Sequence, residues 1–175
     1  MLPPRRITPQ TNNYPTLGEV TPILPNLYLS SLSALQTCLA QSSLPITHIL
    51  SILDAPVDLP GFTGSRLVIV LSDSAESDLL SRLDECVEYV QSARLGGGTV
   101  VVHCMMGLSR SVCVVAACVV ADSGVRVGKA LGVVKKKTIR PNPGLVKQLE
   151  SWCSRSNRDR THTPRWTRWV WGSRG

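Results

Sequence analysis

One short segment of the sequence combines a thiol, a glycine and an arginine. Residues 103–111 read HCMMGLSRS, and Arg110 follows Cys104 after six positions. A cysteine thiolate is a nucleophile, and the planar guanidinium of an arginine can bind two oxygens of one phosphate group. The combination predicts attack of Cys104 on a phosphate ester through a cysteinyl-phosphate intermediate.

The backbone around these side chains is expected to favour an anion as well. The β-branched residues 99–103 predict a buried strand, and the apolar run 112–121 predicts a buried helix. A loop between a strand and a helix N-terminus leaves N–H groups that can bind an anion, helped by the helix dipole. Gly107 permits a backbone geometry that a side chain would obstruct. The same field favours a thiolate at Cys104.

Strands and helices alternate along the chain, which predicts an α/β fold: a mostly parallel central sheet of about five strands flanked by helices. A turn is predicted at Pro25 and Asn26, and the strand at 66–71 is predicted to be buried because its apolar run is continuous. The strands are predicted at residues 23–30, 46–53, 66–71 and 99–103. The helices are predicted at residues 33–41, 78–95, 112–121, 125–137 and 143–152.

The length of 175 residues predicts a single domain with short extensions. Residues 1–17 are rich in Pro, Thr and Asn and are predicted to form an extended leader. The domain is predicted at residues 18–153, and a basic tail at residues 154–175. Residues 1–152 contain 13 Lys and Arg against 11 acidic residues, whereas residues 153–175 contain six Arg against Asp159 alone. The basic character therefore belongs to the tail, and the domain is not expected to bind nucleic acid.

The tail contains Trp166, Trp169 and Trp171 among its arginines. Two interpretations stay open: a surface that contacts a membrane or a partner, and a disordered extension. The N-terminus lacks the apolar stretch of a secretory signal, and the cysteines lack C-x-x-C or zinc-finger spacing. A reduced, cytoplasmic setting is expected, with the nucleus as a second location, and most of the thiols are expected to be core residues.

HCMMGLSRS resembles the HCxxGxSRS signature loop of the dual-specificity protein phosphatases. PNLYLSSLSA and THILSILD resemble the first two strands of that family, VLSDSAESDLL its general-acid loop, and IRPNPGLVKQL the segment that enters its last helix. The resemblance covers about residues 20–152 and is strongest to small atypical members that lack a docking domain. It implies a protein-tyrosine-phosphatase-like fold, phosphorylated proteins as substrates, and no metal or organic cofactor.

The resemblance also implies a role for each position of the loop. Cys104 is the nucleophile, Arg110 binds the phosphate and the transition state, and Ser111 helps the thiolate to leave. His103 orders the loop and Asn142 braces it. The backbone donors that bind the substrate phosphate are those of Met105, Met106, Gly107, Leu108 and Ser109.

The leaving oxygen needs a proton, and a carboxyl group on a nearby loop can supply it. Asp73, Glu76 and Asp78 all follow the strand predicted at 66–71. Asp73 comes directly after that strand, where the family has its general acid, whereas Asp78 is better placed to cap the next helix. Asp73 is therefore predicted to protonate the leaving group and later to activate water.

Three other functions compete with hydrolysis of phosphotyrosine, phosphoserine and phosphothreonine on proteins. The same chemistry could act on a phosphate ester that is not a protein. A non-catalytic phospho-binding module would use Arg110 and the loop, but it would have no need of Cys104 or Asp73. A sulfur-transfer loop of the rhodanese type would leave Asp73 and the Ser-Arg-Ser ending without a role.

Overall fold

A computed structural model describes residues 17–134 and 139–159 of the chain. The predicted leader lies outside the described residues except for its last position, Leu17. The part of the predicted tail from residue 160 onward, with its tryptophans, also lies outside them. So do residues 135–138, at the end of the helix predicted at 125–137.

In the part of the chain that the structure describes, one five-stranded sheet forms the centre of the fold. Its spatial order is β1-β2-β5-β3-β4, and all neighbouring strands are parallel except β1 and β2. The strands are β1 (Thr21–Leu24), β2 (Leu27–Ser31), β3 (His48–Leu53), β4 (Ser65–Val70) and β5 (Val100–Cys104). The prediction of a mostly parallel sheet of about five strands is confirmed.

The chain enters the sheet through a hairpin, and not through the single strand predicted at 23–30. β1 and β2 pair antiparallel on either side of the predicted turn at Pro25 and Asn26. Asn26 has a φ of 58°, a left-handed conformation that asparagine adopts more readily than most residues. The turn was thus predicted correctly, but its consequence, a separate edge strand, was not.

β4 is an edge strand, and the prediction that it is buried was wrong. Among the described residues, β3 is its only partner in the sheet. Ile69 is fully buried, whereas Val70 is 57% exposed. A continuous apolar run is typical of a strand covered on both faces, but the run itself does not reveal whether the strand has one neighbour or two.

The described residues form five α-helices, of which two lie between strands and three follow the last strand. The helix predicted at 112–121 is confirmed despite its many valines, and the last helix continues to Asp159, past the domain boundary predicted at 153. The Asp78 carboxylate accepts the Ser81 N–H at 3.0 Å in a 3-10 turn at Leu80–Arg82. The helix that Asp78 was predicted to cap begins only at Leu83, so that prediction was wrong. The helices are α1 (Leu32–Gln41), α2 (Leu83–Leu95), α3 (Arg110–Ser123), α4 (Val127–Val134) and α5 (Pro143–Asp159).

Helices cover both faces of the sheet. On one face, Leu35 of α1 packs with Ile49 and Val101, and on the other face the remaining helices form the larger core. Every residue of α3 from Arg110 to Val120 is buried, as expected for a helix that is apolar on all sides. No single helix of the described chain is long and apolar enough to cross a membrane; α3 and α4 reach that length only as a pair bent by 117°.

The contrast between the central and the edge strand can be tested with Leu50→Ala in β3 and Val70→Ala in β4. Leu50 is fully buried and Val70 is 57% exposed. We expect Leu50→Ala to lower the free energy of unfolding by about 2–5 kcal/mol, because it leaves a cavity, and Val70→Ala to change it by less than about 0.5 kcal/mol. Urea denaturation measures both. Equal losses would mean that β4 is not at an exposed edge.

Candidate active site

The segment 103–111 lies at the carboxyl end of the parallel strands. β5 ends at Cys104, α3 begins at Arg110, and β5 lies between β2 and β3 within the sheet. Ligands of open α/β sheets bind at this edge, beyond the carboxyl ends of the strands. Residues 104–110 therefore form a loop, called here the phosphate loop, at the position where the sequence predicted it.

The carbonyl groups of the phosphate loop are turned outward by hydrogen bonds to three separate segments. The Met105 carbonyl accepts the Leu32 N–H at 3.2 Å, and the Met106 carbonyl accepts the Leu17 N–H at 3.0 Å. The Leu108 carbonyl accepts the Arg140 N–H at 3.2 Å. In a trans peptide the C=O and the following N–H point in opposite directions. The N–H groups of Met106, Gly107 and Ser109 therefore point to the opposite side, toward the interior of the loop.

Gly107 is required by this arrangement. Its φ is 71°, and a Cβ atom there would lie 2.8 Å from the Ser30 carbonyl oxygen and 2.9 Å from the Ser31 nitrogen. Both are backbone atoms of β2, which cannot move aside cheaply. Only glycine combines this conformation with so close an approach, so the loop rests directly on the end of β2.

The Cys104 sulfur lies at the base of the loop, and the residue is 2% exposed. Its Sγ accepts hydrogen bonds from the Gly107 N–H at 3.3 Å and from the Ser111 hydroxyl at 3.1 Å. Donors aimed at a sulfur stabilise negative charge on it. Two residues that the sequence assigned to the site thus meet the proposed nucleophile directly.

Three other cysteines behave as ordinary core residues. Burial raises the pKa of the Cys86 and Cys113 thiols to about 12 and raises the pKa of the Cys118 thiol as well. These groups remain protonated at neutral pH and pack against the apolar core. The expectation that most thiols are core residues is confirmed for these three.

The Arg110 guanidinium is fixed on one side and unpaired on another. Nη1 donates to Asp54 Oδ2 and to the Leu71 carbonyl, both at 2.8 Å, and the side chain is only 5% exposed. Nε is buried and has no hydrogen-bond partner among the described residues. A buried donor without an acceptor is unfavourable, and an oxygen of a bound phosphate would supply the acceptor. The geometry therefore supports Arg110 as a phosphate ligand.

Asp54 is a site residue that the sequence reasoning missed. It directly follows β3, and its side chain is 60% exposed. The hydrogen bond from Arg110 holds the pKa of this carboxyl below its usual value. The available signal was topological: the carboxyl ends of neighbouring parallel strands share one edge, so a polar residue directly after any of them can reach the site.

His103 is buried within β5 and has a partner that the sequence did not reveal. Its Nε2 lies 2.7 Å from the Ser51 hydroxyl, on the neighbouring strand β3. Burial lowers the pKa of the imidazole to about 4, so the ring is neutral at physiological pH. The Ser51 contact ties the strand end that carries Cys104 to β3, consistent with the ordering role predicted for His103.

Of the three candidate acids, Asp73 is the one whose carboxylate is hydrogen-bonded to the phosphate loop within the described chain. Its Oδ1 accepts the Ser109 hydroxyl at 2.7 Å. The Asp78 carboxylate is occupied by the Ser81 N–H, and the Glu76 carboxylate by the Ser74 hydroxyl. Asp73 is thus the candidate acid whose carboxylate contacts the phosphate loop.

The loop that carries Asp73 is held by the start of α5. The Gln148 side chain donates to the Ser77 carbonyl at 2.8 Å and to the Ala75 carbonyl at 3.3 Å, and it accepts the Leu80 N–H at 2.9 Å. Gly144 lies so close to Ala75 that a Cβ atom would clash with it. Gln148 was not identified from the sequence, because its partners lie about 70 positions earlier in the chain.

Asn142 lies between the phosphate loop and the Asp73 loop. Its backbone N–H donates to the Ser109 hydroxyl at 2.9 Å, and its side-chain Nδ2 lies 3.4 Å from the Asp73 carbonyl. Its Oδ1 accepts the Gly144 N–H at the start of α5. One residue thus fixes the phosphate loop, the Asp73 loop and the helix entry relative to one another.

The need for glycine at position 107 can be tested with Gly107→Ala. The added methyl group would displace the loop from β2, so we expect a loss of orthovanadate binding of about 100-fold or more, since each misplaced loop donor costs about 1.5–3 kcal/mol toward a charged ligand. Isothermal titration calorimetry measures the Kd.

The matched control is Gly128→Ala in α4, where a Cβ atom would meet nothing within 4 Å. This change should leave vanadate binding intact and raise the free energy of unfolding by about 0.5–1 kcal/mol through helix propensity. Normal vanadate affinity in Gly107→Ala would contradict the loop geometry described here.

Comparisons with known proteins agree with this geometry. The family model described as dual specificity phosphatase, catalytic domain, matches residues 27–155. Dual specificity protein phosphatase 1 of Arabidopsis thaliana is 33% identical over 147 residues, which are 82% of this chain and 71% of that protein. Dual specificity protein phosphatase 15 of Mus musculus is 35% identical over 135 residues, which are 76% of this chain and 57% of that protein.

A solved structure shows the same likeness in three dimensions. The crystal structure of DUSP15 superimposes with a TM-score of 0.72 and 31% identity, covering 81% of this chain and 92% of that one. The residues matched by the family model run from the start of β2 through the phosphate loop and into α5. The chain belongs to the dual specificity phosphatase family, in the group of its atypical members, and is a protein phosphatase.

Proposed function

We propose that the protein hydrolyses phosphotyrosine and phosphoserine or phosphothreonine on proteins through a covalent phosphate ester of Cys104. One observation carries the proposal: the Cys104 sulfur accepts two hydrogen bonds at the base of a loop in which the carbonyl groups of Met105, Met106 and Leu108 are bonded to other segments. This is an environment for a thiolate beside a bound phosphate.

In the first step, Cys104 Sγ attacks phosphorus, a sulfur–phosphorus bond forms, and the ester oxygen leaves. The inward N–H groups of the phosphate loop and Arg110 Nε bind the non-bridging oxygens, where negative charge accumulates. Asp73 donates its proton to the leaving oxygen, which departs as an alcohol or phenol. Asp54 and the Leu71 carbonyl keep the guanidinium in position during this step.

In the second step, water attacks the phosphocysteine and the sulfur–phosphorus bond breaks. The Asp73 carboxylate takes a proton from the water, and inorganic phosphate is released. The electron pair of the broken bond returns to Cys104 Sγ, which leaves as a thiolate. The Ser111 hydroxyl, 3.1 Å from this sulfur, stabilises the charge that forms on it.

The range of substrates is the part of the proposal that rests on family membership. The relatives' names describe dual specificity protein phosphatases, and we infer from them activity on both aromatic and aliphatic phospho-residues. A phosphate ester on a molecule other than a protein could be hydrolysed by the same mechanism. A phospho-binding module would not explain why the sulfur, the Ser111 hydroxyl and Asp73 converge on one site.

The proposal is tested by comparing the wild type with Cys104→Ser and Asp73→Ala on phenyl phosphate. We expect Cys104→Ser to be inactive, because a hydroxyl is not ionised at neutral pH. Asp73→Ala should lose about 10²–10⁴-fold in kcat, the usual contribution of a general acid. Matched phosphotyrosine, phosphoserine and phosphothreonine peptides then measure the substrate range.

Glu76→Ala is the matched control for Asp73→Ala, because it removes a carboxylate of the same loop that is bonded to Ser74 instead. It should retain wild-type activity. If the wild-type protein binds the phosphopeptides but does not hydrolyse them under reducing conditions, the proposed enzyme function is wrong and the protein is a phospho-binding module.

The role of Ser111 predicts a distinct kinetic signature for Ser111→Ala. Without its hydrogen bond the thiolate is a poorer leaving group, so hydrolysis of the intermediate should slow by about 10–100-fold, while the first step is affected less. Stopped-flow measurement with 4-nitrophenyl phosphate should then show a burst of 4-nitrophenolate close to one equivalent of enzyme. Absence of a burst together with unchanged kcat would exclude this role.

A further inference from the structure

The side chain of Ser109 joins the phosphate loop to the carboxylate of Asp73. Ser109 is 6% exposed. Its Oγ accepts the Asn142 backbone N–H at 2.9 Å and lies 2.7 Å from Asp73 Oδ1. The family resemblance implied only that the backbone N–H of this residue donates a hydrogen bond to the phosphate. The sequence therefore assigned no function to its hydroxyl.

The direction of these hydrogen bonds follows from the groups involved. A backbone N–H can only donate, so the contact with Asn142 uses a lone pair of the Ser109 oxygen. The single proton of the hydroxyl then has Asp73 Oδ1 as its acceptor within the described residues. Oδ1 is thereby an acceptor, and the proton that Asp73 transfers to the leaving group is carried by the other oxygen, Oδ2.

The other contacts of the Asp73 loop hold its backbone and not its carboxylate. Asn142 Nδ2 approaches the Asp73 carbonyl at 3.4 Å, and Gln148 binds the carbonyl groups of Ala75 and Ser77. Loss of the Ser109 hydroxyl would also remove the acceptor of the Asn142 N–H, but the Gln148 contacts would still hold the Asp73 loop. The carboxylate would then be released to rotate about its side-chain bonds.

We propose that Ser109 is a positioning residue for the general acid. Its hydroxyl fixes the rotation of the Asp73 carboxylate and directs the transferable proton to Oδ2. Ser109 immediately precedes Arg110, so the segment that binds the phosphate also sets where the acid stands relative to it. This inference rests on the proposed role of Asp73 as the acid, and it adds the group that makes that role effective.

The test compares a poor leaving group, phenol, with a good one, 4-nitrophenol, because 4-nitrophenolate is stable enough to depart with little help from an acid. The quantity measured is the ratio of kcat/KM for phenyl phosphate to that for 4-nitrophenyl phosphate. Ser109→Ala should lower this ratio by about 10-fold or more, the effect of losing one hydrogen bond to a charged group. Ser109→Thr retains a hydroxyl and should restore most of the ratio.

Two further variants separate this inference from the proposed function. Asp73→Asn should lower the ratio more strongly, and the double variant with Ser109→Ala should lower it no further, because both changes act through one proton transfer. Ser74→Ala, a serine of the same loop bonded to Glu76, should keep the wild-type ratio. If Ser109→Ala does not fold, Ser109→Cys, with its weaker donor, gives the same comparison.

The outcomes distinguish the positioning role of Ser109 from the role of Asp73 as the acid. A lowered ratio in Asp73→Asn with a normal ratio in Ser109→Ala would overturn the positioning role and leave the acid assignment intact. Equal losses on both substrates in Ser109→Ala would make its hydroxyl merely structural and would also overturn the inference. A normal ratio in Asp73→Asn would remove the acid assignment itself, and the positioning role with it.

Discussion

The outward orientation of the carbonyl groups in the phosphate loop is the constraint on which the rest of the site depends. Three segments far apart in the chain, at Leu17, Leu32 and Arg140, each donate a backbone N–H to this loop. Because peptide groups are planar, engaging the carbonyls on one side turns N–H groups to the other. An anion site thus arises from backbone geometry alone, before any charged side chain contributes.

The parallel sheet then brings the charged and nucleophilic side chains to the same place. Asp54 follows β3, Asp73 follows β4 after a short extension, and Cys104 ends β5. These three strands are neighbours with their carboxyl ends at one edge, so the side chains meet without any long excursion of the chain. The entry to α5, through Asn142 and Gln148, fixes the remaining freedom of the acid loop.

The sequence was informative where a function depends on consecutive residues. The nucleophile, the arginine and the glycine lie within one segment, and a strand and a helix flank it, so the local pattern was sufficient. It was silent on contacts between distant segments: Ser109 and Asp73 are separated by 36 positions, and Arg110 and Asp54 by 56. The exposure of β4 was missed for the same reason, since strand order is a property of the assembled sheet and not of one apolar run.

Detection of a phosphocysteine at Cys104 would demonstrate the covalent mechanism. The protein would be mixed with a ³²P-labelled phosphotyrosine peptide, quenched in acid within milliseconds, and digested so that the labelled fragment can be identified by mass spectrometry. We expect label on the fragment that contains Cys104, and loss of this label in Cys104→Ser. Steady release of phosphate by the wild type with no label on Cys104 would contradict the covalent mechanism, because hydrolysis would then proceed by direct attack of water.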